Sequence, residues 1–155
     1  MNIASDEVLK KKYDQLYKKF VKGNFLEVIR ECNKILKKRK HQLFFNLLSI
    51  AYQKNGEIEK SIDVMREALA LNPNHPNFLN NIGTCFYKLH KYSVAKKYYE
   101  KGLEIDNSHL HILNNMGNLK RETNKIEESI EYYKKVLSIQ KDAVPALFNL
   151  VGIYR

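Results

Sequence analysis

Tryptophan is absent from this chain of 155 residues, proline occurs three times, glycine six times and cysteine twice. So few turn-formers exclude a turn-rich sandwich or barrel. Cys32 and Cys85 cannot build a disulfide framework, and a reducing compartment is the simpler expectation. No apolar stretch approaches the roughly 18 residues a membrane span needs. Met1–Lys12 also lacks the apolar core of a signal peptide. The expected location is therefore cytoplasmic. Present instead are 44% apolar and 28% charged residues, the profile of a folded chain. The length is that of a single domain, expected to span residues 1–155.

The net charge of +10 is unevenly placed. Residues 1–41 hold 12 Lys and Arg against 5 Asp and Glu, whereas residues 42–155 hold 15 against 12. A basic end can attract nucleic acid, anionic lipid or an acidic protein, or it can be a solvated lysine-rich surface.

Sliding the chain against itself by 34 residues aligns 42–75, 76–109 and 110–143 without a gap, and residues 144–155 begin a further partial copy. The fourth place of each copy holds Phe45, Leu79 and Leu113, and the seventh holds Leu48, Ile82 and Met116. The eighth is small (Ser49, Gly83, Gly117), as is the twentieth (Ser61, Ala95, Ser129). Bulky side chains return at the twenty-fourth as Met65, Tyr99 and Tyr133. This spacing marks one face of a first helix and one face of a second, with turn residues such as Asn55-Gly56 between them. Small residues belong where the two helices approach most closely. Residues 9–41 are a worn first copy, in which Leu16 replaces the small eighth residue and Gly23 marks the turn. Strand-like alternation is missing, so the fold class expected is all-α, with about nine helices in antiparallel pairs.

The period and its small and bulky places resemble the tetratricopeptide repeat over nearly the whole chain. The runs Asn80-Asn81-Ile82-Gly83-Thr84 and Asn114-Asn115-Met116-Gly117-Asn118 are especially similar to its superhelical subfamily. That subfamily includes the arrays preceding O-linked N-acetylglucosamine transferases, and similar arrays precede bacterial sulfotransferase domains. The resemblance implies a right-handed α-solenoid. Lys120 departs from the pattern, since it stands at the eleventh place of the last full copy where an aromatic is expected.

Enzyme signatures are missing: no glycine-rich phosphate loop, HExxH, CxxC or GxSxG occurs. No catalytic residue, metal or cofactor is expected. His41, His75 and His109 recur every 34 residues. Equivalent places in stacked repeats lie roughly 10 Å apart, too far for one ion with ligands about 2 Å away. They are expected near helix starts instead. Cys32 and Cys85 are expected to be packing residues.

Asparagine forms the informative pattern. Asn81, Asn115 and Asn149 share the sixth place, and Asn46, Asn80 and Asn114 share the fifth. Asparagine is a mediocre helix former, so its recurrence on the first helices asks for a cause. An amide carries a donor and an acceptor, and can therefore hold a peptide backbone without reading its sequence. Bracing of neighbouring helices and copying by repeat duplication are the alternatives. The resemblance implies the binding role, because sixth-place asparagines of the subfamily contact the backbone of a bound peptide. Asn77, Thr84, Tyr87, Lys88, His111, Asn118 and Arg121 are expected on the same inner, concave face. Together they suit an acidic or neutral extended segment. Lys96, Lys97, Lys101, Lys134 and Lys135 are expected on the outside.

Residues 146–154 are strongly apolar for a last helix. Leu147, Leu150 and Tyr154 are expected to cover the preceding repeat, leaving Phe148, Val151 and Ile153 outward, a patch that suggests a partner. A longer protein cut short here is the expected explanation, with self-association through this end and an accidental capping helix as the alternatives. The function expected is a non-catalytic scaffold that binds an extended peptide or protein segment. The alternative is the substrate-recruiting arm of a larger glycosyltransferase or sulfotransferase. Nucleic acid is not the expected partner, because helical-hairpin repeats that read single-stranded RNA have a longer period than this one.

Overall fold

The computed structural model describes residues 3–155. Among them are nine helices and no strand: α1 (Ile3–Val21), α2 (Phe25–Lys38), α3 (Gln42–Lys54), α4 (Ile58–Leu71), α5 (Pro76–Lys88), α6 (Tyr92–Ile105), α7 (Leu110–Glu122), α8 (Ile126–Ile139) and α9 (Val144–Tyr154). None of these helices is long and apolar enough to cross a membrane. Two compact units divide the chain, Met1–Pro73 with α1–α4 and Asn74–Arg155 with α5–α9.

Each helix pair closes on a three-residue turn. The middle residue of that turn, at the fifteenth place, has a left-handed backbone in all four hairpins: Gly23 and Gly56 at φ +83, His90 at φ 56 and Asn124 at φ 59. The following N–H then bonds the carbonyl five residues back, as in Asn24→Lys19, Glu57→Tyr52, Lys91→Phe86 and Lys125→Lys120 at 2.8–3.0 Å. This is the Schellman closure, which satisfies carbonyls orphaned at a helix end. A Cβ at Gly23 or Gly56 would meet nothing within 4 Å, so backbone conformation and not crowding favours glycine there. His90 carries the Cβ penalty of that conformation. His90→Gly is therefore expected to raise stability by about 1 kcal/mol, read as a higher urea midpoint with an unchanged slope.

The recurring histidines begin helices, as expected. His41, His75 and His109 are the N-cap residues of α3, α5 and α7. The His41 Nδ1 accepts from the Leu43 N–H at 3.3 Å and the His109 Nδ1 from the Ile112 N–H at 3.4 Å.

Packing follows the repeat. In the second unit α5 packs on α6, α7 on α8, α6 on α7 and α8 on α9. The first helices also approach one another, α5 with α7 and α7 with α9, more closely than the second helices α6 and α8 do. The first helices therefore converge and the second helices splay, which makes the α5–α7–α9 side the inner one. The first unit repeats this relation, with α1 closer to α3 than α2 is to α4.

The small eighth place meets the bulky twenty-fourth. A Cβ on Gly83 would stand 2.6 Å from the Tyr99 ring, and one on Gly117 2.5 Å from the Tyr133 ring. Ser49 and Ser61 exchange a buried hydrogen bond of 2.8 Å in the corresponding hairpin. Leu16 in α1 and Cys32 in α2 hold these two places in reverse sizes, and both are buried. Volume is thus shared between two places in place of being fixed at either.

Helix α9 differs from expectation. Ala146, Leu150 and Ile153 pack into the core formed with Leu113, Tyr133 and Val136. Leu147, Phe148, Val151 and Tyr154 are exposed. The expected cover by Leu147 and Tyr154 is therefore incorrect, and Ile153 does not face outward. The cause is the register. Third-, seventh- and tenth-place residues pack on the preceding copy, whereas the fourth, eighth and eleventh places serve a helix's own second helix. The thirtieth-place residues Leu71, Ile105 and Ile139 are likewise exposed at the ends of the second helices.

Candidate functional site

All twelve residues singled out in the sequence lie on first helices of the second unit: Asn77, Asn80, Asn81, Thr84, Tyr87 and Lys88 on α5, His111, Asn114, Asn115, Asn118 and Arg121 on α7, and Asn149 on α9. Each is half-buried or exposed, while their helical neighbours Leu79, Ile82, Leu113 and Met116 are buried. One stripe thus anchors each helix and the adjoining one remains accessible. The expected outer lysines Lys96, Lys97, Lys101, Lys134 and Lys135 are exposed on α6 and α8.

The amides are already engaged with one another, and in a repeating way. The Asn115 side-chain nitrogen donates to the Asn80 Oδ1 at 2.9 Å and the Thr84 Oγ1 at 3.3 Å. One repeat later, Asn149 donates to the Asn114 Oδ1 at 3.3 Å and the Asn118 Oδ1 at 3.0 Å. A sixth-place asparagine therefore spends both N–H groups on the fifth and ninth places of the preceding first helix. The ninth place is fixed in turn from behind, because the Tyr99 hydroxyl donates to Thr84 at 3.3 Å and the Tyr133 hydroxyl to the Asn118 Oδ1 at 2.7 Å. Burial pushes both phenols up from their ordinary pKa, which keeps them protonated as donors. Thr84 also donates to the Asn80 backbone carbonyl at 2.9 Å.

This clamp is only partly legible in the sequence. The asparagine rows allow bracing of neighbouring helices as a reading, but they do not reveal the tyrosine links. The signal for those links is a twenty-fourth-place tyrosine wherever the eighth place is glycine and the ninth is Thr or Asn.

Engagement leaves defined groups over. The Asn115 Oδ1 and the side-chain N–H groups of Asn114 and Asn118 make no other hydrogen bond among the described residues. Arg121 reaches the Asn149 Oδ1 at 3.5 Å and the Glu122 carboxylate at 3.8 Å. Desolvation pushes the Tyr87 phenol up to about 12. Lys88 and His111 are exposed.

At the α7–α9 end of this face a cleft of about 360 Å³ opens, lined by His111, Asn114, Val136, Ala143 and Ala146 among others. The two cysteines, Cys32 and Cys85, are buried and form no disulfide, and burial pushes the Cys32 thiol up to about 12. Both act as packing residues.

Helix pairs with this period and this inter-copy packing are those of a repeat protein. A family model described as the Psidin N-terminal TPR repeats region matches residues 10–119, and a tetratricopeptide repeat model matches residues 110–142. The chain belongs to the tetratricopeptide repeat family. No curated protein matches its sequence.

Solved structures resemble it closely in fold at low identity. TTC0263, a thermophilic TPR protein of Thermus thermophilus, is 14% identical with a TM-score of 0.83, over 92% of this chain and 79% of that one. YrrB, described as a TPR protein with an unusual peptide-binding site, is 21% identical with a TM-score of 0.70, over 84% and 68%. The first TPR of Spaghetti (RPAP3), bound to the HSP90 peptide SRMEEVD, is 21% identical with a TM-score of 0.66, over 72% and 89%. The likeness shows the fold, an all-α solenoid of helix pairs.

Proposed function

We propose that the chain is a protein-interaction scaffold whose α5–α7–α9 face holds an extended segment of a partner protein in a groove. The observation that carries this reading is the set of groups left over by the clamp. The Asn115 Oδ1 accepts, and the side-chain N–H groups of Asn114 and Asn118 donate. Together they match the N–H and C=O groups of an extended backbone. First-helix rungs about 10 Å apart meet an extended chain at about every third residue. Lys88 and Arg121 favour an acidic or neutral segment over a basic one. Support also comes from the relatives, since the RPAP3 domain is bound to an HSP90 peptide and YrrB is described as having a peptide-binding site.

The clamp gives the asparagines a second role on this reading. It fixes the amides before any ligand arrives, so less rotamer entropy is lost on binding. Each net hydrogen bond contributes about 1 kcal/mol. The test is selection of random dodecapeptides on the folded chain, followed by calorimetric titration of the winners. Asn81→Ala/Asn115→Ala is expected to weaken them by about tenfold or more. Unchanged affinity in the folded double variant removes these asparagines from the site.

A further inference from the structure

The cleft at the α7–α9 end has a cause in the repeat register, and that cause indicates what fits it. At the thirty-fourth place the other copies carry an imidazole, His41, His75 and His109, but here the residue is Ala143. The third place of the next copy carries Phe44, Phe78 and Ile112, but here Ala146. Rings occupy these places where they are present. His75 stacks on Phe78 with centroids 4.1 Å apart, and His41 meets Phe44 at 5.7 Å. One repeat before the cleft, His109 fills the corresponding space and its Nε2 bonds the Asn77 Oδ1 at 2.8 Å. Because the His109 Nδ1 accepts from a backbone N–H, the Nε2 carries the proton and donates.

At the cleft the ring is missing and the second-place partner remains. His111 stands where Asn77 stands, with Ala143 in place of the imidazole on the cleft side, while its own ring lies 6.0 Å from that of His109. Val136 replaces Gly102 and so returns only the volume that Ala146 gives up relative to Ile112. The place of the missing ring stays open as part of a cleft of about 360 Å³, larger than the ring itself and near the lower end of the ~300–1,000 Å³ usual for ligand sites.

We infer that this cleft is a side-chain pocket for an aromatic residue bearing a ring N–H or hydroxyl, donated by the bound segment. The occupant supplies in trans the ring that His109 supplies in cis one repeat earlier, with its polar hydrogen directed to His111. The inference rests on the groove reading, because His111 and Asn114 belong to both the inner face and the cleft. It adds a side-chain pocket to a face that otherwise reads the backbone and the sign of the segment's charge.

Indole is the probe, titrated into the whole chain and followed by amide chemical shifts. Saturable shifts centred on Asn114, Val136, Ala143 and Ala146, with benzene binding more weakly, support the pocket. Ala146→Phe restores the third-place residue and is expected to weaken indole by at least about tenfold by filling the site. Ala143→His fills it from the other side, should the first variant fail to fold. Absence of saturable shifts in the unaltered chain overturns the inference, as does equal indole binding in either folded variant. The indole result is independent of the peptide titration. Peptides that bind while indole does not defeat the pocket alone; indole binding without any selected peptide defeats the groove.

Discussion

Leucine in place of Gly117 is expected to lower stability by about 3 kcal/mol, because the first added carbon alone would stand 2.5 Å from the Tyr133 ring. Better helix propensity returns less than about 1 kcal/mol of this. Tyr133 is fully buried, so Tyr133→Cys alone is expected to cost about 3–4 kcal/mol as a cavity. The two changes together are expected to cost about 2–3 kcal/mol less than their sum. The chain itself supplies the precedent, since Leu16 and Cys32 hold the same two places and are both buried. Urea unfolding of the four chains gives the coupling directly. Additive losses would show that the reversed sizes of the first hairpin do not transfer.

The same cycle reaches the candidate site. Tyr133 holds Asn118 through its hydroxyl, and Asn149 donates to the same oxygen. Gly117→Leu pushes the ring and so loosens the clamp from behind. Selected peptides are accordingly expected to bind the variant less well at temperatures where it remains folded. The asparagine face is thus held by core packing as well as by amide bonds.

Periodicity makes the helices, their pairing and the inner stripe legible, because a 34-residue repeat imposes the same burial on the same place. Where a place is constant in size, as at Leu79 and Leu113, the pattern names the core correctly. Three features escape it. The direction of α9 depends on which of two apolar stripes docks, and both are apolar in residues 146–154. The clamp depends on hydrogen bonds between residues 31 and 35 positions apart, which no local pattern displays. The cleft is an absence, visible only once the His and Phe places are known to fill space between copies.

Lys120 is the place where the repeat pattern and the residue type disagree, and its substitution is expected to have the other large effect. An aromatic stands at the eleventh place in the two preceding copies, as Tyr52 and Phe86. Lys120 is nonetheless buried, with 8% of its surface exposed. Its aliphatic stem occupies the aromatic's space while its ammonium reaches the Glu128 carboxylate. Lys125 lies 3.3 Å from the same carboxylate. The hydrogen bond from Lys120, with a lesser one from Lys125, holds the Glu128 carboxyl below its ordinary value. Lys120→Glu sets a second carboxylate beside the half-exposed Glu128 at a buried place and is expected to lower the urea midpoint. Lys120→Phe restores the pattern and is expected to raise stability by about 1–2 kcal/mol at neutral pH, since a well-packed apolar side chain replaces a desolvated charge. The pH dependence separates the terms. A carboxyl whose folded pKa is depressed contributes stability that is present above its ordinary value of 4.5 and is lost as pH falls through the folded value. The Lys120→Phe chain lacks most of that contribution, so its advantage over the unaltered chain is expected to widen on going from pH 7 to about pH 3.5. Urea midpoints at the two values decide it: an advantage that shrinks on acidification would mean that Lys120 does not hold the Glu128 proton off in the folded chain.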